Sequence, residues 1–286
     1  MAALGIIGGS GLYDFDTLTD RTWQTVTTPW GDPSDELLFG RIGETDLVFL
    51  PRHGRGHRLL PHEINYRANI AALKIAGCTE IVSVAACGSF KEALPPGHFV
   101  LIDQIVDRTR TRERTFFGEG IAAHVALADP ICARLRGRIA ALNTGTGVTD
   151  GGTYLVMEGP QFSTRAESRL YASAGLDVVG MTAMPEAALA REAELCYAAV
   201  AMVTDFDSWR DDETGAETAD ILAVMNANVG HARQMIATLA GAGTDRSGVC
   251  PYGCDRSLDH AIITPREAWP HMAAERLETI AGRVMS

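Results

Sequence analysis

The stretch MVTDFDSW, residues 202–209, sets Asp205 and Asp207 two positions apart at the end of an apolar run from Cys196 to Val203. The run is rich in small and β-branched residues, the composition of a buried strand. Residues two apart in an extended chain point to the same face, so both carboxylates can meet one ligand. A single Asp after a strand ordinarily caps the next segment or faces water. Two on one face suit a bound group that needs carboxylates.

Ligands of open parallel sheets gather outside the carboxyl ends of the strands. LGIIGG (4–9) ends at Ser10, DLVFLPRHG (46–54) carries Arg52 and His53, and EIVSVAACGS (80–89) carries small residues around Ala86. LDVVGM (176–181) ends at Met181 and Thr182. Arg suits bidentate recognition of an oxyanion, and Arg52 and His53 follow directly from an apolar strand that would hold them. Thr182 precedes Pro185 as an N-cap whose hydroxyl is also open to a ligand. The Gly9-Ser10-Gly11 turn lacks a third glycine and a following helix, so it is no dinucleotide fingerprint. A glycine turn with one hydroxyl still wraps a single phosphate through backbone N–H groups. The loop GPQFST (159–164) adds Phe162, a ring able to stack on a flat base, and Ser163. The set suits an anion at one end and an acid-seeking group at the other.

Strands and helices alternate around these residues, which predicts an α/β fold: a single domain over 1–286 with a mixed, largely parallel central sheet flanked by helices. HEINYRANIAALKIAG (62–77) reads as a helix on the spacing of Ile64, Ala68, Ala71 and Ile75, stopped by Gly77. GHFVLIDQIVD (97–107) reads as one strand, and a helix is expected over 129–142. In STRAESRLYASAG (163–175), Thr164 and Glu167 have capping-box spacing and Gly175 is the stop. LDVVGM, the helix PEAALAREAEL (185–195) and CYAAVAMVTD (196–205) read as a βαβ unit with parallel strands. A long helix is expected over 219–240, then a loop-like segment over 244–264 and a terminal helix from about Pro265.

The net charge of −11 argues against a protein that holds nucleic acid by neutralising phosphates. No apolar stretch approaches the ~20 residues of a membrane span, and MAALGIIGGS lacks the basic region of a signal peptide, so a cytoplasmic protein is expected. Of six cysteines, only Cys250 and Cys254 in CPYGCDRS lie close in sequence. One pair without histidines or a second pair is a weak metal signal, and free thiols are expected.

GIIGGSGLYD, PRHGRGHRLLPHEINYRANIAALK, MEGPQFSTRAES, VVGMTAMPEAALAREAELCYA and VTDFDSW, in that order, resemble the 5′-methylthioadenosine phosphorylases of the trimeric purine nucleoside phosphorylase family. The resemblance runs from about residue 4 to 240. It implies a nucleoside phosphorylase-like fold assembled as a homotrimer or a dimer of trimers. It implies phosphorolysis, with no metal or organic cofactor and inorganic phosphate as co-substrate. The family pattern carries phosphate onto Ser10, Arg52, His53, Ala86 and Thr182, ribose onto Met181, and the base onto Phe162, Ser163, Asp205 and Asp207. The 5′ group falls to the long helix near Leu222 and a neighbouring subunit. Ala85 stands where close relatives often carry a hydroxyl, Gln161 where many have Arg, and Gly180 where animal members have Asn.

On that reading the departing purine needs a proton at N7. Burial and a second carboxylate keep one acid of a pair protonated near neutral pH. Asp205 is then expected as the general acid and Asp207 as its partner on the 6-amino group. Such a pair favours adenine over 6-oxopurines; the alternatives are a 6-oxopurine nucleoside or methylthioinosine phosphorylase and, further off, a non-catalytic nucleoside-binding protein.

Overall fold

The computed structural model describes residues 2–9, 11–13, 15, 17–142, 144–210, 218–243 and 249–285, with side chains left aside over 218–222. In chain order the elements are β1 Ala3–Gly8, β2 Thr19–Gln24, β3 Leu37–Ile42, β4 Thr45–Pro51, α1 Tyr66–Ile75, β5 Cys78–Ser89, β6 Phe99–Leu101, β7 Gln104–Asp107 and α2 Ala133–Ala140. Then follow β8 Val148–Asp150, β9 Thr153–Val156, α3 Arg165–Ser173, β10 Val178–Gly180, α4 Ala183–Glu192, β11 Cys196–Asp205, α5 Thr218–Gly241 and α6 His271–Met285.

One mixed sheet of eleven strands among the described residues forms the centre. Its path runs β2-β3-β4-β1-β5-β10-β9-β7, and β11, β6 and β8 branch from β5. The strands that meet at the middle, β1, β4, β5 and β11, are parallel and largely buried, as strands covered on both faces are.

β5 organises the sheet. β11 lies along one edge of it, from Glu80 to Gly88. The other edge is shared: β1 takes Cys78 to Ser83, and β10 meets only Gly88 and Ser89. Between Ser83 and Gly88 that edge pairs with no strand, and there the burial of β5 is interrupted at Ala85 and Ala86. The sheet is split along this edge.

The local readings meet the structure unevenly. Thr164 and Glu167 form the reciprocal capping box of α3. Helix α1 starts later than its periodicity suggested, at Tyr66, because Asn65 caps it through Ala68 N–H. Ile75 falls off its buried stripe and is 45% exposed. The 97–107 segment is two strands on different partners: β6 pairs with β11 and β7 with β9.

The expected parallel βαβ is corrected. β10 runs antiparallel to β5 while β11 runs parallel to it, so β10 and β11 oppose each other. The reason is that β10 touches only the carboxyl end of β5. Helix α4 then has only to carry the chain back to the amino end, where Cys196 pairs with Glu80.

Candidate active site

Asp205 and Asp207 converge on one point. A Cβ placed on Gly88 would lie 3.1 Å from Asp207 Cβ, 3.2 Å from Asp205 Oδ2 and 3.2 Å from Val179. A glycine here lets β10, β11 and the two acids close on the end of β5 without a side chain pressing on them. A register shift between Val203 and Asp205 bends β11 there, and Thr204 Oγ1 donates to Cys87 O at 3.1 Å and to Asp205 Oδ1 at 2.7 Å.

The two carboxyls differ in surroundings. Asp207 is 7% exposed, and its Oδ2 is buried with no hydrogen-bond partner among the described residues. Burial pushes its carboxyl above the usual carboxylate range. Asp205 is less enclosed and accepts the Thr204 bond. Two carboxyls on one face, one buried and one more open, can meet a ring position and a neighbouring amino group of the same base.

At the other side of the split, Arg52 is 1% exposed and turned beneath the strand ends. Its Nε donates to Glu186 Oε1 at 2.6 Å, Nη1 to Val84 O at 3.0 Å, and Nη2 to Ser83 Oγ at 2.6 Å and Glu186 Oε2 at 3.4 Å. Ser83 Oγ and Tyr197 Oη also donate to Glu186 Oε2, at 2.8 and 3.0 Å. Four of the five guanidinium N–H groups thus hold the unpaired stretch of β5 and the first turn of α4 together.

His53 follows, with Nδ1 2.9 Å from Leu59 O and its ring stacked on His57 at 4.3 Å. A carbonyl only accepts, so Nδ1 carries the proton and Nε2 is the acceptor. Burial, and secondarily the Arg52 charge, lower the imidazole pKa to about 4, so the ring is neutral at pH 7.

Thr182 is the N-cap residue of α4, but its side chain makes no capping bond. Its Oγ1 is buried without a hydrogen-bond partner among the described residues. A buried hydroxyl left unpaired costs ~1–3 kcal/mol, which a ligand acceptor would return. Next to it Met181 is half-buried, and its carbonyl is held by Arg112 Nη1 at 2.5 Å. Arg112 also donates to Met184 O at 2.7 Å, Glu158 O at 2.8 Å and Tyr66 Oη at 3.1 Å. It clamps the 157–158 and 181–184 segments from below. On the first of these loops Ser163 is buried and Phe162 stands 60% exposed.

The structure therefore brings Arg52, His53, Ala86, Met181, Thr182, Asp205 and Asp207 to the carboxyl ends of β4, β5, β10 and β11. Ser10 lies outside the described residues; Leu222 lies on α5 with its side chain outside them. Gly180 has a local reason here, since a Cβ would sit 1.7 Å from the Tyr154 hydroxyl. The sequence reading missed Glu186, Ser83 and Arg112. For Glu186 the available signal was a carboxylate on an otherwise apolar helix face.

The chain matches the sequence model of the Phosphorylase superfamily over residues 3–240. It belongs to that superfamily. It is 55% identical over 286 residues to an S-methyl-5′-thioadenosine phosphorylase of Cereibacter sphaeroides, covering 99% of this chain and 98% of that one. It is 52% identical over 286 residues to one of Bradyrhizobium diazoefficiens, with the same coverage. A crystal structure of a methylthioadenosine phosphorylase from an antarctic soil metagenomic library superposes with a TM-score of 0.88 at 41% identity, covering 98% of each chain. Methylthioadenosine phosphorylase from Schistosoma mansoni in complex with adenine gives 0.78 at 38% identity, over 85% of this chain and 91% of that one.

Proposed function

We propose that this phosphorylase acts on 5′-methylthioadenosine, transferring the ribosyl group to phosphate and giving adenine and 5-methylthioribose 1-phosphate, a reaction of purine and methionine salvage. The observation that carries the reading is the convergence of Asp205 and Asp207 on Gly88, with the Asp207 carboxyl pushed up by burial.

Cleaving an N-glycosidic bond builds positive charge on the anomeric carbon and negative charge on the purine. The aspartate pair answers the second. Burial favours a proton on Asp207, which can serve N7 as the bond breaks, while Asp205 accepts from the 6-amino group. Phe162 stacks on the base and Ser163 steadies Asp207. Burial favours the protonated form of Asp207, so the proton is assigned to Asp207 and Asp205 is its partner on the base.

Phosphate sits across the split in the sheet, its charge facing the anomeric carbon. The Thr182 hydroxyl, the backbone at Ala86, Ser10 and the remaining Arg52 N–H donate to it. Neutral His53 accepts at Nε2 from a protonated phosphate oxygen, which orients the nucleophile. Since Glu186 neutralises Arg52, phosphate is held by directed N–H and O–H donors more than by net charge. Met181 underlies the ribose. The family pattern gives the 5′ group to the long helix α5 near Leu222 and to a neighbouring subunit of a homotrimer or dimer of trimers. No cofactor takes part; phosphate is the co-substrate. The enzyme works in the cytoplasm on small molecules, without nucleic acid or membrane partners. Among the described residues no helix is long and apolar enough to cross a membrane.

The test is release of free base from methylthioadenosine, methylthioinosine and adenosine, each with and without phosphate. Phosphate-dependent adenine release, fastest from methylthioadenosine, is expected. Faster hypoxanthine release would reverse the reading of the two acids, and adenine release without phosphate would make water the nucleophile.

A further inference from the structure

At the far end of β11 from the aspartates, the fold gathers four cysteines that are distant in sequence. The Sγ atoms of Cys132, Cys196, Cys250 and Cys254 all lie within 4.8 Å of one another, and all four residues are buried. Cys132 precedes α2 and is tied to β11 by its N–H on Tyr197 O at 2.8 Å. Cys196 opens β11. Cys250 and Cys254 come from one tight turn, closed by Gly253 N–H on Cys250 O at 2.9 Å with Gly253 at φ +69°. The Asp255 carboxylate accepts from Cys250 N–H at 3.1 Å and braces that turn. CPYGC has the C-x₂₋₄-C spacing of a structural zinc knuckle, and the fold supplies the second pair that the sequence hides.

We propose that these four cysteines form a structural zinc site. Four thiolates at a Zn–S distance of about 2.3 Å stand about 3.8 Å apart in a tetrahedron. Cys132 Sγ and Cys250 Sγ are separated by 3.8 Å. Two disulfides would instead draw each sulfur to about 2.0 Å from a single partner and leave the pairs apart. An all-sulfur, four-coordinate, buried set selects zinc among redox-inert divalent ions, and with every position filled it leaves no open site for catalysis.

Binding converts four thiols to four thiolates around one Zn²⁺ and releases four protons to solvent, leaving a local charge of −2. Arg134 Nη2, 3.5 Å from Cys196 Sγ, and the first turn of α2 behind Cys132 offset that charge. Cys196 and Asp205 are the two ends of a ten-residue strand, so the metal is about 30 Å from the proposed chemistry. Its work is to fasten the C-terminal segment to the body. That segment is also held by Leu258 N–H on Glu194 Oε1 at 3.1 Å, by Arg283 on Glu194 at 2.5 to 2.8 Å, and by Leu258, Leu277 and Ile280 buried in the main core.

The test is elemental analysis of the full chain purified without added metal or chelator. One zinc per chain is expected, released by a mercurial thiol reagent in step with four thiols. Cys254→Ser should lose at least tenfold in zinc content and melt at a lower temperature, while base release per folded chain stays at the wild-type rate. If that variant fails to fold, the wild-type chain stripped of metal and loaded with Co²⁺ should show the intense thiolate-to-metal absorption of a tetrahedral sulfur site. Metal-free protein whose four thiols titrate directly would overturn the proposal. So would disulfides seen by non-reducing mass spectrometry, or zinc retained in the Cys250→Ser, Cys254→Ser double variant.

Discussion

Arg52 and Glu186 form a buried ion pair, Nε to Oε1 at 2.6 Å, across the place where the central sheet divides. It joins the end of β4 to the first turn of α4, and Ser83 and Tyr197 complete it with hydrogen bonds. Removing one partner leaves the other charge buried and uncompensated. Glu186→Ala is therefore expected to cost ~3–5 kcal/mol in urea unfolding, and Glu186→Ala with Arg52→Met to recover much of that. Additive losses in the double variant would mean the pair is not coupled.

Thr182 makes the opposite prediction. Its hydroxyl has no partner to lose among the described residues. Thr182→Val keeps the shape of the side chain and removes an unsatisfied buried group, so stability without phosphate should stay level or rise slightly. Phosphate KM should rise roughly tenfold, the worth of one hydrogen bond to a charged acceptor at ~1.5 kcal/mol. A loss of stability with an unchanged KM would make Thr182 a structural residue.

His53 makes folding sensitive to pH. Its folded pKa is lowered to about 4 from 6.5 by burial, then by Arg52. The unfolded chain binds the proton first, so stability rises with pH through this window and falls as pH drops from about 6.5 toward 4. The full effect is at most roughly 3 kcal/mol. Urea midpoints between pH 7 and 4.5 should fall more steeply for wild type than for His53→Gln. Parallel slopes would show that the imidazole titrates normally.

Much of this site was readable because its parts sit at strand ends, where a local pattern announces both the strand and the residue that follows it. MVTDFDSW is such a case, and the Thr164–Glu167 capping box is another. What was not readable depends on contacts between distant segments. Gly88 looks like any small strand residue until β10 and β11 meet on it. Glu186 needs Arg52, 134 residues away, to explain a carboxylate on a buried helix. The direction of β10 was misread because the βαβ rule assumes strands that run along their neighbour, and β10 meets only its tip. Cys132 and Cys250 are 118 residues apart, so no spacing rule could pair them.

The aspartate pair carries the sharpest functional prediction. Gly88 holds Asp205 and Asp207 side by side, and adenine offers them an amino donor beside the N7 acceptor. A 6-oxopurine offers two acceptors, which an Asn amide serves better than a carboxylate. Asp205→Asn should lower kcat/KM for methylthioadenosine by 10²–10⁴-fold, the usual worth of general acid catalysis, and shift preference toward methylthioinosine. Asp207→Asn should do the same while abolishing the upward-shifted limb of the pH–rate profile that the buried carboxyl imposes. The pairing predicts that the double variant is little worse than either single one, because both acids serve the same base. Multiplicative losses in the double variant would show instead that each acid works alone, and an unchanged purine preference in both would remove the pair from base recognition.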